Sequence, residues 1–191
     1  MMRIITGTAK GKRLATLEGD ATRPTSERIK GAIFSSIQFE IENRRVLDLF
    51  AGSGQMGLEA LSRGAASSTF IDSSREAMEI VKRNAESCGF FGASHFLVSD
   101  YRNYIRKASG RESFDLVFID PPYSMEACTE SARLLVKEKL IIPGAIVVLE
   151  SGEEEVKLSL LSECGYEVIK SERYGKKTAV NILFFRGNTE K

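Results

Sequence analysis

From Arg45 onward, short apolar runs alternate with longer segments whose apolar positions repeat at helical spacing. Runs at 46–50, 68–72, 94–98, 116–120 and 145–150 predict strands. Segments near 55–63, 74–87, 100–108, 125–138 and 153–162 predict the helices between them. That alternation predicts a parallel sheet with helices on both faces. The rhythm changes at the end: 166–173 and 179–185 both read as strands, joined by Tyr174-Gly175-Lys176-Lys177-Thr178 as an antiparallel hairpin. Ahead of the alternation, Thr25 can cap a helix on which Ile29, Ile33 and Ile37 recur every fourth residue, with Phe34 beside them. Earlier still, Arg3-Ile4-Ile5-Thr6-Gly7 and 12–17 flank a turn containing Gly and Lys, which reads as a short β-hairpin with a basic tip. An isolated hairpin is marginal in water, so it should lean on the main domain or on a ligand. The expected organisation is a basic hairpin extension, 1–22, and one α/β domain, 23–191.

Composition narrows the classes. A chain of 191 residues, 42% hydrophobic and 28% charged, reads as a soluble globular domain with a continuous core. The longest apolar run, 140–149, is interrupted by Pro143 and Gly144 and is too short to span a bilayer. Residues 1–7 lack the apolar stretch of a signal peptide, so a cytoplasmic protein without a membrane partner is expected. Cys88, Cys128 and Cys164 lie far apart with no C-x-x-C spacing, which fits reduced thiols filling the core. His95 is the sole histidine, and no metal site is expected. A net charge of +1 excludes a general polyanion binder. Residues 1–31 nevertheless carry seven basic residues (Arg3, Lys10, Lys12, Arg13, Arg23, Arg28 and Lys30) against Glu18, Asp20 and Glu27. This local +4 suits contact with phosphates; a merely solvated face is the alternative.

Two segments carry the candidate chemistry. Asp48-Leu49-Phe50-Ala51-Gly52-Ser53-Gly54-Gln55-Met56-Gly57 reads as a strand ending in an acid and a glycine turn opening a helix. It satisfies G-x-G-x-x-G, and Asp72 closes the next strand, where an acid can accept both ribose hydroxyls of an adenosine. A dinucleotide site fits the same pattern. Asp48, however, would repel a pyrophosphate and attract the ammonium of S-adenosylmethionine, which is the expected cofactor. Phe50 and Ser53 belong to the same turn. Asp100 and Tyr101, after the third strand, are candidates for adenine recognition, although Asp100 can equally cap a helix.

The second segment is Asp120-Pro121-Pro122-Tyr123, following the buried-strand pattern of 114–119. Neither proline can donate a backbone hydrogen bond. The loop therefore presents Asp120 and a carbonyl, that of Pro121, as paired acceptors for the two hydrogens of a primary amine. Drawing those hydrogens away frees the amine lone pair, and the carboxylate stabilises charge that builds on nitrogen during attack. Tyr123 can stack on the base. Such an enzyme needs the base turned out into its pocket.

These residues resemble the bacterial family of 16S ribosomal RNA guanine-N2 methyltransferases. The similarity spans nearly the whole chain. It includes Arg3-Ile4-Ile5 with the Lys10-Gly11-Lys12 turn, Arg23-Pro24-Thr25 with Arg28 and Phe34, the glycine turn, the stretch from Gly57-Leu58-Glu59 through Arg63-Gly64-Ala65, and Asp-Pro-Pro-Tyr. Gln55 and Met56 depart from the alanine or leucine common in the family, and Glu150 matches an acid of undefined role. The resemblance implies a seven-stranded, doubly wound, Rossmann-like methyltransferase sheet, mostly parallel, closed by the antiparallel hairpin. It implies S-adenosylmethionine as cofactor, 2-methylguanosine as product, and as partner 16S rRNA within the 30S subunit or an assembly intermediate. Lys10, Lys12, Arg13, Arg23, Thr25 and Arg28 are then the expected RNA contacts, with Lys176 and Lys177 as further candidates. A monomer is expected. The rivals are a DNA adenine or protein glutamine methyltransferase, a nicotinamide-dependent oxidoreductase, and a catalytically silent RNA-binding assembly factor.

Overall fold

In the computed structural model, which describes residues 2–17, 27–122, 127–152, 156–175 and 178–187, the alternation is realised nearly as read. The elements are α1 (Glu27–Ser36), β1 (Arg45–Asp48), α2 (Gln55–Ser62), β2 (Ser67–Asp72), α3 (Arg75–Cys88), β3 (Ser94–Val98), α4 (Tyr101–Ala108), β4 (Phe114–Ile119), α5 (Cys128–Lys137), β5 (Ile141–Ser151), α6 (Leu158–Glu163), β6 (Tyr166–Tyr174) and β7 (Thr178–Phe185). The strand order is β3-β2-β1-β4-β5-β7-β6, the seven-stranded α/β sheet expected from the sequence. Two compact units divide the chain, Met1–Asp100 and Tyr101–Lys191.

In the first unit β1, β2 and β3 pair in parallel, with Asp48 opposite Phe70 and Asp72 opposite Val98. Val46, Leu47, Phe70 and Ile71 are all fully buried, as strands covered on both faces require. In the second unit β4 and β5 are parallel, while β7 runs antiparallel to both β5 and β6. β5 begins earlier than the expected 145–150. Phe114 pairs with Ile141, and pairing resumes at Leu116 with Ile146 after a register shift. That irregularity accommodates Pro143, which has no amide hydrogen for a regular ladder.

The N-terminal segment forms a hairpin-shaped turn closed by one antiparallel bridge, Arg3 with Arg13, a shorter ladder than two strands would give. Ile4 donates to the Lys12 carbonyl oxygen at 2.9 Å and Leu14 to that of Met2 at 3.0 Å, but the Lys12 N–H turns back to the Ala9 carbonyl oxygen at 3.1 Å, which ends the ladder. Ile5 and Thr6 donate their N–H groups to the Glu59 carboxylate of α2, at 2.7 and 3.0 Å, and not to a facing strand. The turn lies alongside α2 over its whole length. Met2 meets Ser53 just before the helix, Ile5 and Thr6 meet Glu59, and Thr8 and Ala9 donate to the Ser62 carbonyl and hydroxyl oxygens. Every residue of α2 is buried in consequence. Gly7 packs so tightly here that a Cβ would fall 1.7 Å from the Ser62 carbonyl oxygen, and its φ is +89°.

Glu59, fully buried, is the centre of this contact. Arg63 donates to it at 2.9 Å and stacks over the Phe34 ring. Lys30 of α1, itself 1% exposed, lies 3.4 Å from it and donates to the Arg3 carbonyl oxygen at 2.6 Å. Burial pushes the Lys30 ammonium below its ordinary pKa, and Glu59 opposes that shift. Removing one charge from such a cluster strands the others in low dielectric. Glu59→Gln is therefore expected to lower the unfolding free energy by about 3–5 kcal/mol in urea titrations. Glu27→Gln, which breaks the exposed pair with Arg3 and removes a weaker attraction to Lys30, should cost about 1 kcal/mol or less.

Candidate functional site

β1 ends on Asp48, and the chain passes through Leu49, Phe50 and Ala51 into Gly52-Ser53-Gly54 before α2. Gly52 and Gly54 both adopt left-handed backbone, φ 55° and 77°, which a side chain would strain. Gly57 serves space instead: a Cβ there would sit 2.4 Å from the Phe70 ring. Gly54 is the N-cap of α2 and offers no side chain to its first amides. One strand-end carboxylate takes over part of that task, and a second holds the turn before it. Asp48 Oδ2 accepts from the Gly57 N–H at 3.0 Å. Asp72 Oδ2 accepts from the Gly52 N–H at 2.9 Å, while its Oδ1 accepts from the Ser74 N–H at 2.8 Å. The Ser99 N–H donates to the Asp72 carbonyl oxygen at 2.9 Å, which brings half-buried Asp100 to the same row of strand ends. Asp48, Gly52, Ser53, Gly54, Asp72 and Asp100 are thus gathered within one unit.

Electrostatically the two acids differ. Asp48 is 3% exposed, and its carboxyl pKa is raised to about 7, chiefly by burial and to a smaller extent by the Asp72 charge, against the opposing pull of the Gly57 amide. Asp72 is half-buried. Two further observations concern what this turn can accept. No atom lies within 4 Å of where a Gly52 Cβ would be, so the left-handed turn faces open space. The buried Gln55 Oε1, at the first residue of α2, is an acceptor without a donor. A ligand bringing hydroxyl or ammonium donors fits such a turn.

In the second unit Asp120 follows β4, half-buried, with Pro121 buried and Pro122 exposed. Tyr123 lies outside the described residues. Tyr101, proposed from sequence for adenine, is buried; its hydroxyl donates to Glu130 at 2.8 Å and Arg102 lies over its ring. Of the expected RNA contacts, Lys10, Lys12 and Arg13 are exposed on the docked turn, and Arg28 is exposed on α1. Arg23, Thr25, Lys176 and Lys177 lie outside the described residues. Lys30 is removed from the basic surface, since it is buried against Glu59. Sequence reasoning assigned no role to Glu59 or to Asn84, whose carboxamide bridges the N-terminal segment and the glycine turn. The i,i+4 spacing of Glu59 and Arg63 hinted at the first; nothing local pointed to the second.

A family model described as Conserved hypothetical protein 95 matches residues 2–183. The chain belongs to this family. The Conserved hypothetical protein 95 match spans the docked turn, both strand-end acids and the Asp120 segment. The chain is 34% identical over 188 residues to the Bacillus subtilis protein YlbH, named as a candidate rRNA methyltransferase, covering 97% of this chain and all of the relative. It is 31% identical over 153 residues to "Ribosomal RNA small subunit methyltransferase D" of Escherichia coli K12, covering 80% of this chain and 76% of that protein. Among solved structures, Escherichia coli yhhF, described as a candidate methyltransferase, superposes with a TM-score of 0.83 at 26% identity, covering 98% and 99% of the two chains.

The buried acid carries a pH signature. The folded state holds a proton on Asp48 up to about pH 7, while the unfolded carboxyl releases it near its ordinary value of 3.8. This group therefore erodes stability as pH rises between those values, and its effect is constant above them. For Asp48→Asn, melting temperature relative to the parent should climb from pH 4 to pH 7 and then level off; a pH-independent difference would show that the carboxyl titrates normally.

Proposed function

We propose that this chain transfers the methyl group of S-adenosylmethionine to the N2 amine of a guanine in 16S ribosomal RNA. The observation that carries this reading is the hold of Asp48 and Asp72 on an open left-handed glycine turn. It occurs in a chain similar over four-fifths of its length to a named small-subunit rRNA methyltransferase. When bound, S-adenosylmethionine supplies an electrophilic methyl on a sulfonium sulfur. Asp48, Gly52, Ser53, Gly54 and Asp72 are the residues to hold it, with Phe50, Asp100 and Tyr101 as further contacts.

Each Asp72 oxygen keeps lone-pair capacity beyond its one backbone amide, enough to accept ribose hydroxyls. A ligand ammonium near Asp48 favours the ionised carboxylate and offsets the effect of burial. A pyrophosphate in that place would meet two carboxylates, which disfavours the dinucleotide alternative. Asp120 and the Pro121 carbonyl accept the amine hydrogens and hold the nitrogen lone pair free for attack, and Tyr123 stacks on the base. Catalysis is then orientation plus electrostatics. Lys10, Lys12, Arg13, Arg23, Thr25 and Arg28 face the RNA backbone. The substrate is rRNA in the 30S subunit or an assembly intermediate, met in the cytoplasm by a monomer.

Incubation with labelled S-adenosylmethionine and unmodified 30S particles, followed by nucleoside analysis, should yield 2-methylguanosine. Asp120→Ala should keep its calorimetric affinity for S-adenosylhomocysteine and lose about 10²-fold or more in transfer rate. Undiminished transfer would remove this carboxylate from the mechanism, and a different methylated nucleoside would overturn the assigned amine.

A further inference from the structure

Asn84, in the third turn of α3, is 3% exposed. Its carboxamide binds two segments remote in sequence. Oδ1 accepts from the Ala15 N–H at 2.8 Å, and Nδ2 donates to the Ala15 carbonyl oxygen at 3.0 Å. The same Nδ2 donates its second hydrogen to the Ser53 carbonyl oxygen at 2.9 Å. Toward Ala15 the amide therefore behaves as a neighbouring strand would, and toward Ser53 it fixes the middle residue of the glycine turn. The stem of the basic turn grips that residue a second time. The Ser53 hydroxyl donates to Met2 Sδ at 2.9 Å, and the Leu14 N–H donates to the Met2 carbonyl oxygen at 3.0 Å.

A helix position wholly inside a core is ordinarily filled by an apolar side chain, because an amide buried without partners is costly. Here both amide hydrogens and one oxygen lone pair are engaged by backbone alone, on two loops with different duties. Lys12 and Arg13, two of the exposed cations of the turn, lie within three residues of Ala15.

We propose that Asn84 is a positioning residue that ties the cofactor turn to the basic N-terminal turn, so that occupancy of the first sets the order of the second. This rests on the reading above, in which S-adenosylmethionine occupies the glycine turn and RNA meets Lys10, Lys12 and Arg13. A ligand seated against Gly52 and Ser53 holds the Ser53 carbonyl in place. Through Asn84 that restraint passes to the backbone of Ala15 and the cations before it. By reciprocity, RNA held on the turn tightens cofactor binding.

The test uses the full chain and S-adenosylhomocysteine at concentrations shown by calorimetry to saturate each variant. Trypsin cleavage after the exposed Lys10, Lys12 and Arg13 is timed by mass spectrometry, with exposed Lys139 of the second unit as internal control. In the parent protein the ligand should slow cleavage at the three sites by about fivefold or more and leave Lys139 unchanged. In Asn84→Ala that protection should vanish, and KM for unmodified 30S particles should rise with kcat largely retained. If Asn84→Ala does not fold, Ala15→Pro removes the donor to Oδ1 at an exposed residue and should abolish protection in the same way. Equal protection in parent and variants overturns the proposal, as does a parent that binds S-adenosylhomocysteine without any protection. A parent that does not bind S-adenosylhomocysteine at all overturns the methyl-transfer reading and the coupling with it.

Discussion

The amides at the start of α2 must find acceptors, and the helix cap cannot supply them. A helix leaves its first N–H groups without partners in the helix itself. Here the capping position is Gly54, chosen because the turn needs a left-handed backbone, and glycine has no side chain to offer. The sheet answers this need from a strand end, where Asp48 takes the Gly57 amide, while Asp72 on the next strand holds the Gly52 amide of the turn that precedes the helix. The left-handed turn and the acid at Asp48 thus belong to one satisfaction problem, and Asp72 fixes the same turn from its other end. A helix start that binds its own acids also has reduced appetite for an anionic ligand, since the field of its amides is already met. What remains attractive is a partner carrying donors or positive charge.

That solution costs stability. Asp48 is buried deeply enough for its carboxyl pKa to reach about 7, and Asp72 adds like charge beside it. A neutral side chain would fold with less penalty at high pH, so the acid stands there against the preference of the fold. Destabilised polar groups of this kind belong to sites where a ligand completes the electrostatics. Glu59 is the contrasting case. It is equally buried, but its charge is met by Lys30, Arg63 and two backbone amides within the protein. One carboxylate is met by cations of the fold; the other has a single backbone amide and, on the proposed reading, a ligand ammonium.

Much of this was legible along the chain because it depends on local order. Strand-ending acids at Asp48 and Asp72 follow from apolar runs of fixed length, and Gly52 and Gly54 mark a strand-to-helix turn by residue type alone. The Asp120 segment was legible for the same reason. What escaped depends on three-dimensional company. Lys30 counts as surface charge in any sum along the sequence, yet it is buried by a partner 29 residues away on another helix. Asn84 looks like one more polar position on α3, and only the approach of Ala15 and Ser53 gives it meaning. The N-terminal hairpin keeps a short ladder because the Lys12 N–H turns back to Ala9, and its Ile5 and Thr6 amides find Glu59, a partner absent from the hairpin's own sequence. β5 outran its expected start because a register shift lets a strand absorb Pro143.

The docking of the basic turn bears on how a nearly neutral chain can engage RNA. With a net charge of +1 it has little long-range attraction to a polyanion, so affinity must come from a few local contacts. A free hairpin would lose much of that gain in ordering itself upon binding. Laid along α2 and fastened at Ser53, Glu59 and Ser62, the turn has met part of that entropic cost during folding. The helix chosen as its bed begins at the glycine turn, so the cations and that turn are held within one unit. On the proposed reading, such an arrangement would align the grip on the polymer with the end where the methyl is transferred.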